Sequence, residues 1–371
     1  MNHSPINQAR LKKLLAAMLD IYSPSGKEED LCQYLHGWLK RRGLPVVRQE
    51  VDEERGNLVV ALGGEEAELA LIGHIDTVSA HELEDFGYRQ EGDRVWGLGA
   101  ADMKGGCAAM IEAVLSLWEQ GVRELPVTLA LVVGEEEAGD GAEALVNEYR
   151  FPWAVVGEPT RLEPCLHNYG YMELKLVTRG ERRHASLAGG GRKAVEDMLR
   201  LLLTLTAHLQ NRRPEVIYNI RDLFSSGGGF VVPEECEAWL DLHLPPNSQA
   251  SEVAVEIEEL VAAEKNSDDG LNLHLDFETV QAGYELPQRG PVVDALQNAV
   301  SRMGRPWLPG AFRSHSDANQ LWAAGVKPII MGPGSLEAAH RPEEWVSFSQ
   351  VAAASELYYR LALALAPPPA A

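Results

Sequence analysis

Cysteine is scarce: four residues in 371, Cys32, Cys107, Cys165 and Cys236, lie far apart with no Cys-x-x-Cys pair. That excludes a disulfide framework and a thiolate zinc finger, and it fits the reduced thiols of a cytoplasm. Basic residues are also short. The 33 Lys and Arg against 55 Asp and Glu leave a net charge of -22, which repels nucleic-acid backbones and anionic lipid surfaces. No uncharged apolar run is long enough to cross a bilayer, so neither nucleic acid nor membrane is an expected partner. The start of the chain, Lys12-Lys13-Leu14-Leu15-Ala16-Ala17-Met18-Leu19, is interrupted by Asp20 and reads as an amphipathic first helix, not a signal peptide. There is no internal repeat, and the only low-complexity stretch is the proline-rich tail at 366–371, expected to be mobile.

What remains is a globular composition, 45% hydrophobic and 24% charged, in a chain long enough for two domains. Helices are expected over 7–18 and through 31–39, separated by the loop Ser23-Pro24-Ser25-Gly26. Strands follow at 45–51, 58–62 and 69–72, then a long helix over 103–120 and an all-apolar strand at 127–133, the pattern of a strand covered on both faces. This alternation predicts a layered α/β domain. From Tyr171 the order becomes β-α-β-β-α-β, with strands at 172–178, 216–221, 237–244 and 271–280 and helices at 193–209 and 251–264: the split unit of ferredoxin-like domains. The chain then returns to the first domain through 291–303, 326–331 and a last helix from Ser349. The expected division is 1–167 and 285–371 for an α/β domain and 168–284 for an inserted one.

Chemistry concentrates where apolar runs stop. Leu69-Ala70-Leu71-Ile72-Gly73 ends in His74-Ile75-Asp76, and strand alternation puts His74 and Asp76 on one side, where a carboxylate can fix an imidazole for a divalent metal. Alone, the pair could equally be an ordinary polar strand end. Asp102 sits in Gly97-Leu98-Gly99-Ala100-Ala101-Asp102-Met103-Lys104-Gly105-Gly106, a tight loop before a helix, and could also be a helix cap. Glu135-Glu136-Glu137 directly follows the buried strand, at the carboxyl end where α/β sheets bind ligands. Glu158-Pro159 and, beyond Gly332-Pro333-Gly334, His340 complete a set of oxygen and imidazole donors without thiolate. Such a set suits zinc, manganese or cobalt, and one shared carboxylate would hold two ions.

Taken in order, Gly73-His74-Ile75-Asp76-Thr77-Val78, Gly99-Ala100-Ala101-Asp102-Met103-Lys104-Gly105, Glu135-Glu136-Glu137, Gly157-Glu158-Pro159-Thr160 and His340-Arg341-Pro342-Glu343-Glu344 resemble the co-catalytic zinc amidohydrolase family of acetylornithine deacetylase, succinyl-diaminopimelate desuccinylase, aminoacylase and glutamate carboxypeptidase. The likeness runs nearly end to end. It implies a phosphorylase/hydrolase-like α/β catalytic domain with an inserted ferredoxin-like lid and dimerisation domain. It implies that His74 and Glu158 bind one zinc, Glu137 and His340 the other, and that Asp102 bridges them. Asp76 would orient His74, and Glu136 would be the general base. The family shows Asp-Glu-Glu where this chain has three glutamates, so a shift of one residue would make Glu135 the base and Glu136 the ligand. His184, in Arg183-His184-Ala185-Ser186, resembles the lid histidine that reaches across a homodimer to stabilise the oxyanion.

Relatives often carry Asn before Val-Val-Pro and Arg in Asp-x-Arg-x-Pro; here Phe230 and His243 stand at those places, and Ala188 stands where a proline commonly follows His-Ala-Ser. Substrate contacts are therefore expected from His243 and from Asp317 and Asn319 of Ser314-His315-Ser316-Asp317-Ala318-Asn319, a stretch that a capped helix start explains equally well. The first functional reading is a cytoplasmic homodimer that deacylates a small N-acyl amino acid. A dipeptidase or carboxypeptidase with the same metals is the second, and a non-catalytic dimeric binding protein of the same fold is the third.

Overall fold

The computed structural model describes residues 4–64, 67–80, 86–267 and 271–366; residues 367–371, most of the tail expected to be mobile, lie outside them. The chain divides into two compact units. One comprises Met1–His167, Leu286–Phe312 and Ser316–Ala371, the other Asn168–Glu285 with Arg313–His315.

In the first unit the strands run in the order Val46–Glu50, Gly56–Ala61, Val127–Val132, Leu69–His74, Trp153–Pro159, Lys327–Gly332, Cys165–Asn168. Leu69–His74 pairs in parallel with both Val127–Val132 and Trp153–Pro159, and the latter pairs in parallel with Lys327–Gly332. Every residue of Leu69–His74, Val127–Val132 and Trp153–Pro159 is buried, which is why these segments read as continuous apolar runs and not as alternating ones. Because neighbouring parallel strands share one direction, their carboxyl ends, and the polar residues that terminate them, come to one edge.

The helix Gly105–Glu119 is buried through Leu117. It packs on Leu69–His74, on Trp153–Pro159 and on the C-terminal helix Phe348–Ala364. Glycine at 106 lets it approach closely: a Cβ there would collide with the Gly157 carbonyl oxygen. The expected helix over 103–120 begins two residues later, since Ala100–Lys104 forms an irregular turn with Asp102 and Met103 outside helical geometry. The helix Asp140–Glu148 and the three-stranded ribbon of Arg89–Glu91, Arg94–Trp96 and Trp345–Ser347 are elements beyond those expected; strands of three residues are too short to show a period.

The second unit is a four-stranded antiparallel sheet in the order Ile217–Ser225, Glu235–Leu244, Gly170–Arg179, Asn272–Gln281, with helices Ala194–Arg212 and Ala250–Ser267. This is the order of a ferredoxin-like sheet. Met172, Leu174, Leu176, Leu240 and Leu242 from the strands meet Leu201, Leu205, Ile257 and Val261 from the helices in one core. The inserted unit extends to Glu285 and also takes Arg313–His315, where the His315 ring stacks on Tyr171 with centroids 4.2 Å apart.

Among the described residues no helix is long and apolar enough to cross a membrane.

Candidate metal centre

Five segments of the first unit bring acidic and imidazole side chains together. His74, the last residue of its strand, is buried, and its two nitrogens face different neighbours. Nδ1 lies 3.1 Å from the Asp76 carbonyl oxygen and 3.5 Å from its carboxylate. Nε2 faces three carboxylates: Asp102 at 3.4 Å, Glu135 at 3.7 Å and Glu158 at 3.7 Å. Asp76 is buried too, and its Oδ2 accepts from the Ser25 hydroxyl at 2.7 Å and the Glu136 amide at 3.0 Å. Burial opposes its ionisation, but the bonds to His74, Glu136 and Ser25 prevail and hold the carboxyl below the ordinary range.

The two oxygens of Asp102 serve two histidines. Oδ1 is 3.4 Å from His74 Nε2 and Oδ2 is 3.5 Å from His340 Nε2. His340 also lies 2.9 Å from the Glu136 carboxylate, and that contact, against partial burial, raises its pKa to about 9. Its backbone has a φ of 55°, a left-handed conformation that a histidine keeps only when its surroundings hold it there. One ligand atom from each of His74, Asp102 and Glu136 lies within 4.8 Å of the others.

Burial drives the carboxyls of Glu135 and Glu158 well up, and that of Glu136 up as well. Glu158 Oε1 is buried with no hydrogen-bond partner among the described residues. So many acids cannot ionise together in a closed space unless cations neutralise them, and this donor set of carboxylate and imidazole fits divalent ions.

The resemblance implies Glu137 as the ligand that accompanies His340, and the geometry differs from that expectation. Glu136, not Glu137, is beside His340, while the Glu137 side chain is exposed and stands outside the cluster. The physical reason is the turn at Gly134 and Gly139, both at positive φ, which directs Glu135 and Glu136 inward and releases Glu137 to solvent.

Residues to which the sequence reading gave no role support the cluster. Lys104 is buried and donates to the carbonyls of Met18 and Ile21, both at 3.1 Å; burial lowers its pKa to about 8. Ser23 donates to the Ile75 carbonyl at 2.9 Å, so the Ser23-Pro24-Ser25 loop is stitched to the His74-Asp76 segment. Glu344 is buried beneath the Asp102 turn. The partners in these pairs are remote in sequence, and no local pattern announces them.

The sequence profile of Peptidase family M20/M25/M40 matches residues 70–364. The chain belongs to that family. Acetylornithine deacetylase of Edwardsiella ictaluri is 29% identical over 344 residues, covering 86% of each chain. A tripeptidase of Staphylococcus aureus superposes with a TM-score of 0.80 at 19% identity, covering 97% of this chain and 99% of the other. An M20 family metallo-carboxypeptidase of Sulfolobus solfataricus superposes with a TM-score of 0.76 at 16% identity, covering 96% and 98%. Family M20 supplies the activity class, a metal-dependent hydrolase of amide or peptide bonds.

In this M20 chain the remaining candidates divide between the units. Asp317 is buried at the start of the helix Asp317–Ala323, with neither carboxylate oxygen hydrogen-bonded among the described residues; burial, with Asp76 and Asp140 acting against the neighbouring His74, pushes its pKa up to about 7. Asn319 is committed to the helix start: its Oδ1 accepts from the Ser316 amide at 3.0 Å in a capping box. His243 and His184 belong to the second unit. His243 packs beside Tyr171, whose hydroxyl donates to Asp241 at 3.0 Å, and burial lowers the pKa of the imidazole. His184 is exposed, with Nδ1 2.8 Å from the Ser186 hydroxyl.

Proposed function

We propose that this M20 hydrolase cleaves the amide bond of a small N-acyl amino acid with the help of two divalent ions, zinc before cobalt or manganese. The observation that carries this reading is Asp102 standing between two histidines, one oxygen toward each. His74 and Glu158 would hold one ion, Glu136 and His340 the other, and Asp102 would be shared. Such a pair of ions, when bound, activates a water and polarises the carbonyl it attacks.

The chain's own groups do the rest. Glu135 is the proposed general base: it is 3.7 Å from His74 Nε2 and makes no contact with His340 among those described, which leaves its carboxylate to take a proton from water and pass it to the leaving nitrogen. Asp76 fixes the His74 ring and anchors the Glu136 amide, which keeps the ligand set in register. Asp317 and His243 are proposed substrate contacts.

The second unit is proposed to join two copies of the chain. Its edge strand Ile217–Ser225 and its helix Ala194–Arg212 expose Ile217, Ile220, Leu223 and Phe224, and Leu199 and Leu203. That apolar surface supports a homodimer in which His184 of each copy donates to the oxyanion formed in the other. Four buried free cysteines support a cytoplasmic setting.

The test is hydrolysis of N-acetyl, N-formyl and N-succinyl amino acids against dipeptides by protein loaded with each ion. Faster turnover of the N-acyl amino acids supports deacylation. Turnover of dipeptides alone replaces it with the peptidase reading, and no turnover of either class overturns the proposal.

A further inference from the structure

Asp102 and Glu344 are 242 residues apart in sequence, yet the main chain of one is bound to the side chain of the other. Glu344 is only 3% exposed, and its carboxylate takes three main-chain donors: Oε1 accepts from Ala101 at 2.7 Å and Asp102 at 2.9 Å, and Oε2 accepts from Gly99 at 2.8 Å. The backbone of Glu344 makes two further bonds. Its carbonyl accepts from Gly97 at 3.2 Å, and its amide donates to the Arg341 carbonyl at 3.1 Å, closing the turn that follows His340. Directly after it, Trp345–Ser347 pairs with Arg94–Trp96.

Glu344 is therefore attached on one side to the turn that presents Asp102 and on the other to the turn that presents His340. Neither turn is regular. Asp102 and Met103 leave helical geometry, Gly99 has a φ of 76°, and His340 has a φ of 55°. A segment without its own hydrogen-bond ladder keeps its shape only through bonds to something else.

We infer that Glu344 is a positioning residue of the metal centre, which sets the spacing of Asp102 and His340 by clamping the Gly99–Asp102 main chain to the His340 turn. This rests on the reading of the cluster as a two-ion site. Only a carboxylate meets the requirement. Glutamine has one acceptor oxygen, and its amide nitrogen would point a donor at the Gly99 or the Ala101 and Asp102 N–H groups; aspartate is one methylene short.

The experiment is calorimetric titration of Zn²⁺ or Mn²⁺ into metal-free protein, with the visible spectrum of the Co²⁺ form as a second readout. It compares wild type with Glu344→Gln, Glu344→Ala and Glu112→Gln. Glu112 is an equally buried carboxylate of the same unit, bonded to Arg10, Ser116 and the Asn7 amide and to no member of the cluster among the described contacts, so it reports the effect of lost stability alone. Removing groups that orient metal ligands typically costs about 10–100-fold in affinity. Glu344→Gln is expected to weaken the ion held by His340 by about that factor and to alter the Co²⁺ spectrum, with KM close to wild type once metal saturates and kcat reduced. Glu112→Gln is expected to bind metal as wild type does. Should Glu344→Ala fail to fold, Glu344→Gln carries the comparison. Equal affinity and spectrum in Glu344→Gln and wild type overturn the positioning role, as does an equal loss in Glu112→Gln. A wild-type protein that binds no ion overturns the two-ion site itself, a separate outcome.

Discussion

The amide of Glu136 donates to Asp76 Oδ2 at 3.0 Å, and the same carboxylate group faces His74 Nδ1. One buried aspartate thus couples a ring on one strand end to the acidic turn on the next. Loss of Asp76 should be felt by both. Asp76→Ala is expected to lower metal affinity by about 10–100-fold, since the imidazole loses its orienting partner and the turn its anchor. Ser25→Ala removes only one bond to the same charged oxygen and should cost about 1.5–3 kcal/mol of stability. Titration of metal into the two variants, with urea denaturation, checks the ranking.

The two inward glutamates should separate by readout. Glu135→Gln is expected to lower kcat by about 10²–10⁴ with metal content unchanged. Glu136→Gln should lose bound metal instead, because its carboxylate is the one beside His340 and Asp102. Elemental analysis alongside kinetics distinguishes them, and a Glu136→Gln variant that keeps its metal while losing kcat, with metal lost instead from Glu137→Gln, would return the roles to the other register.

Asp317 should make the metal-free protein less stable as pH rises. Its carboxyl has an ordinary value of 3.8 and is pushed to about 7 in the fold, so between these values the native state holds a proton that the unfolded chain has released. Its stabilising contribution is complete below pH 3.8 and is lost as pH rises through about 7. Asp317→Asn is expected to remove roughly 2–4 kcal/mol of that dependence and to be more stable than wild type at about pH 8 in chelator. Urea denaturation at a series of pH values measures the difference, and parallel curves for the two proteins would refute it.

Gly106→Ala should destabilise, although alanine is the better helix former by about 1 kcal/mol. The added methyl meets the Gly157 carbonyl oxygen and Met103 Cε, and backbone on a buried strand cannot retreat cheaply. Overpacking of this kind costs about 1–3 kcal/mol, enough to outweigh propensity and lower Tm by several degrees. An unchanged or raised Tm would show that the helix shifts freely against the sheet.

The helices and strands of both units were readable because burial leaves a mark along the chain. Leu69–His74 and Val127–Val132 are buried throughout and apolar but for His74 and Thr128, and Gly170–Arg179 turns Met172, Leu174 and Leu176 to its helices. Ala100–Lys104 blurred the start of the long helix because part of what shapes it, three main-chain bonds to the Glu344 carboxylate, comes from far along the sequence. The roles of Ser25, Lys104 and Glu344 were illegible for the same reason: each is a bond between distant segments that leaves no periodic trace.

By itself the sequence determined the kind of donors, oxygen and imidazole without thiolate, and the strand ends that carry them, since chain order and hydrophobic pattern specify both. Which two of three adjacent glutamates face inward, and how far Asp102 stands from each histidine, only the tertiary structure decided. Three identical side chains differ in nothing but the direction the backbone gives them, and here that direction comes from a turn between Gly134 and Gly139 that is anchored through the Glu136 amide to Asp76, remote in the chain.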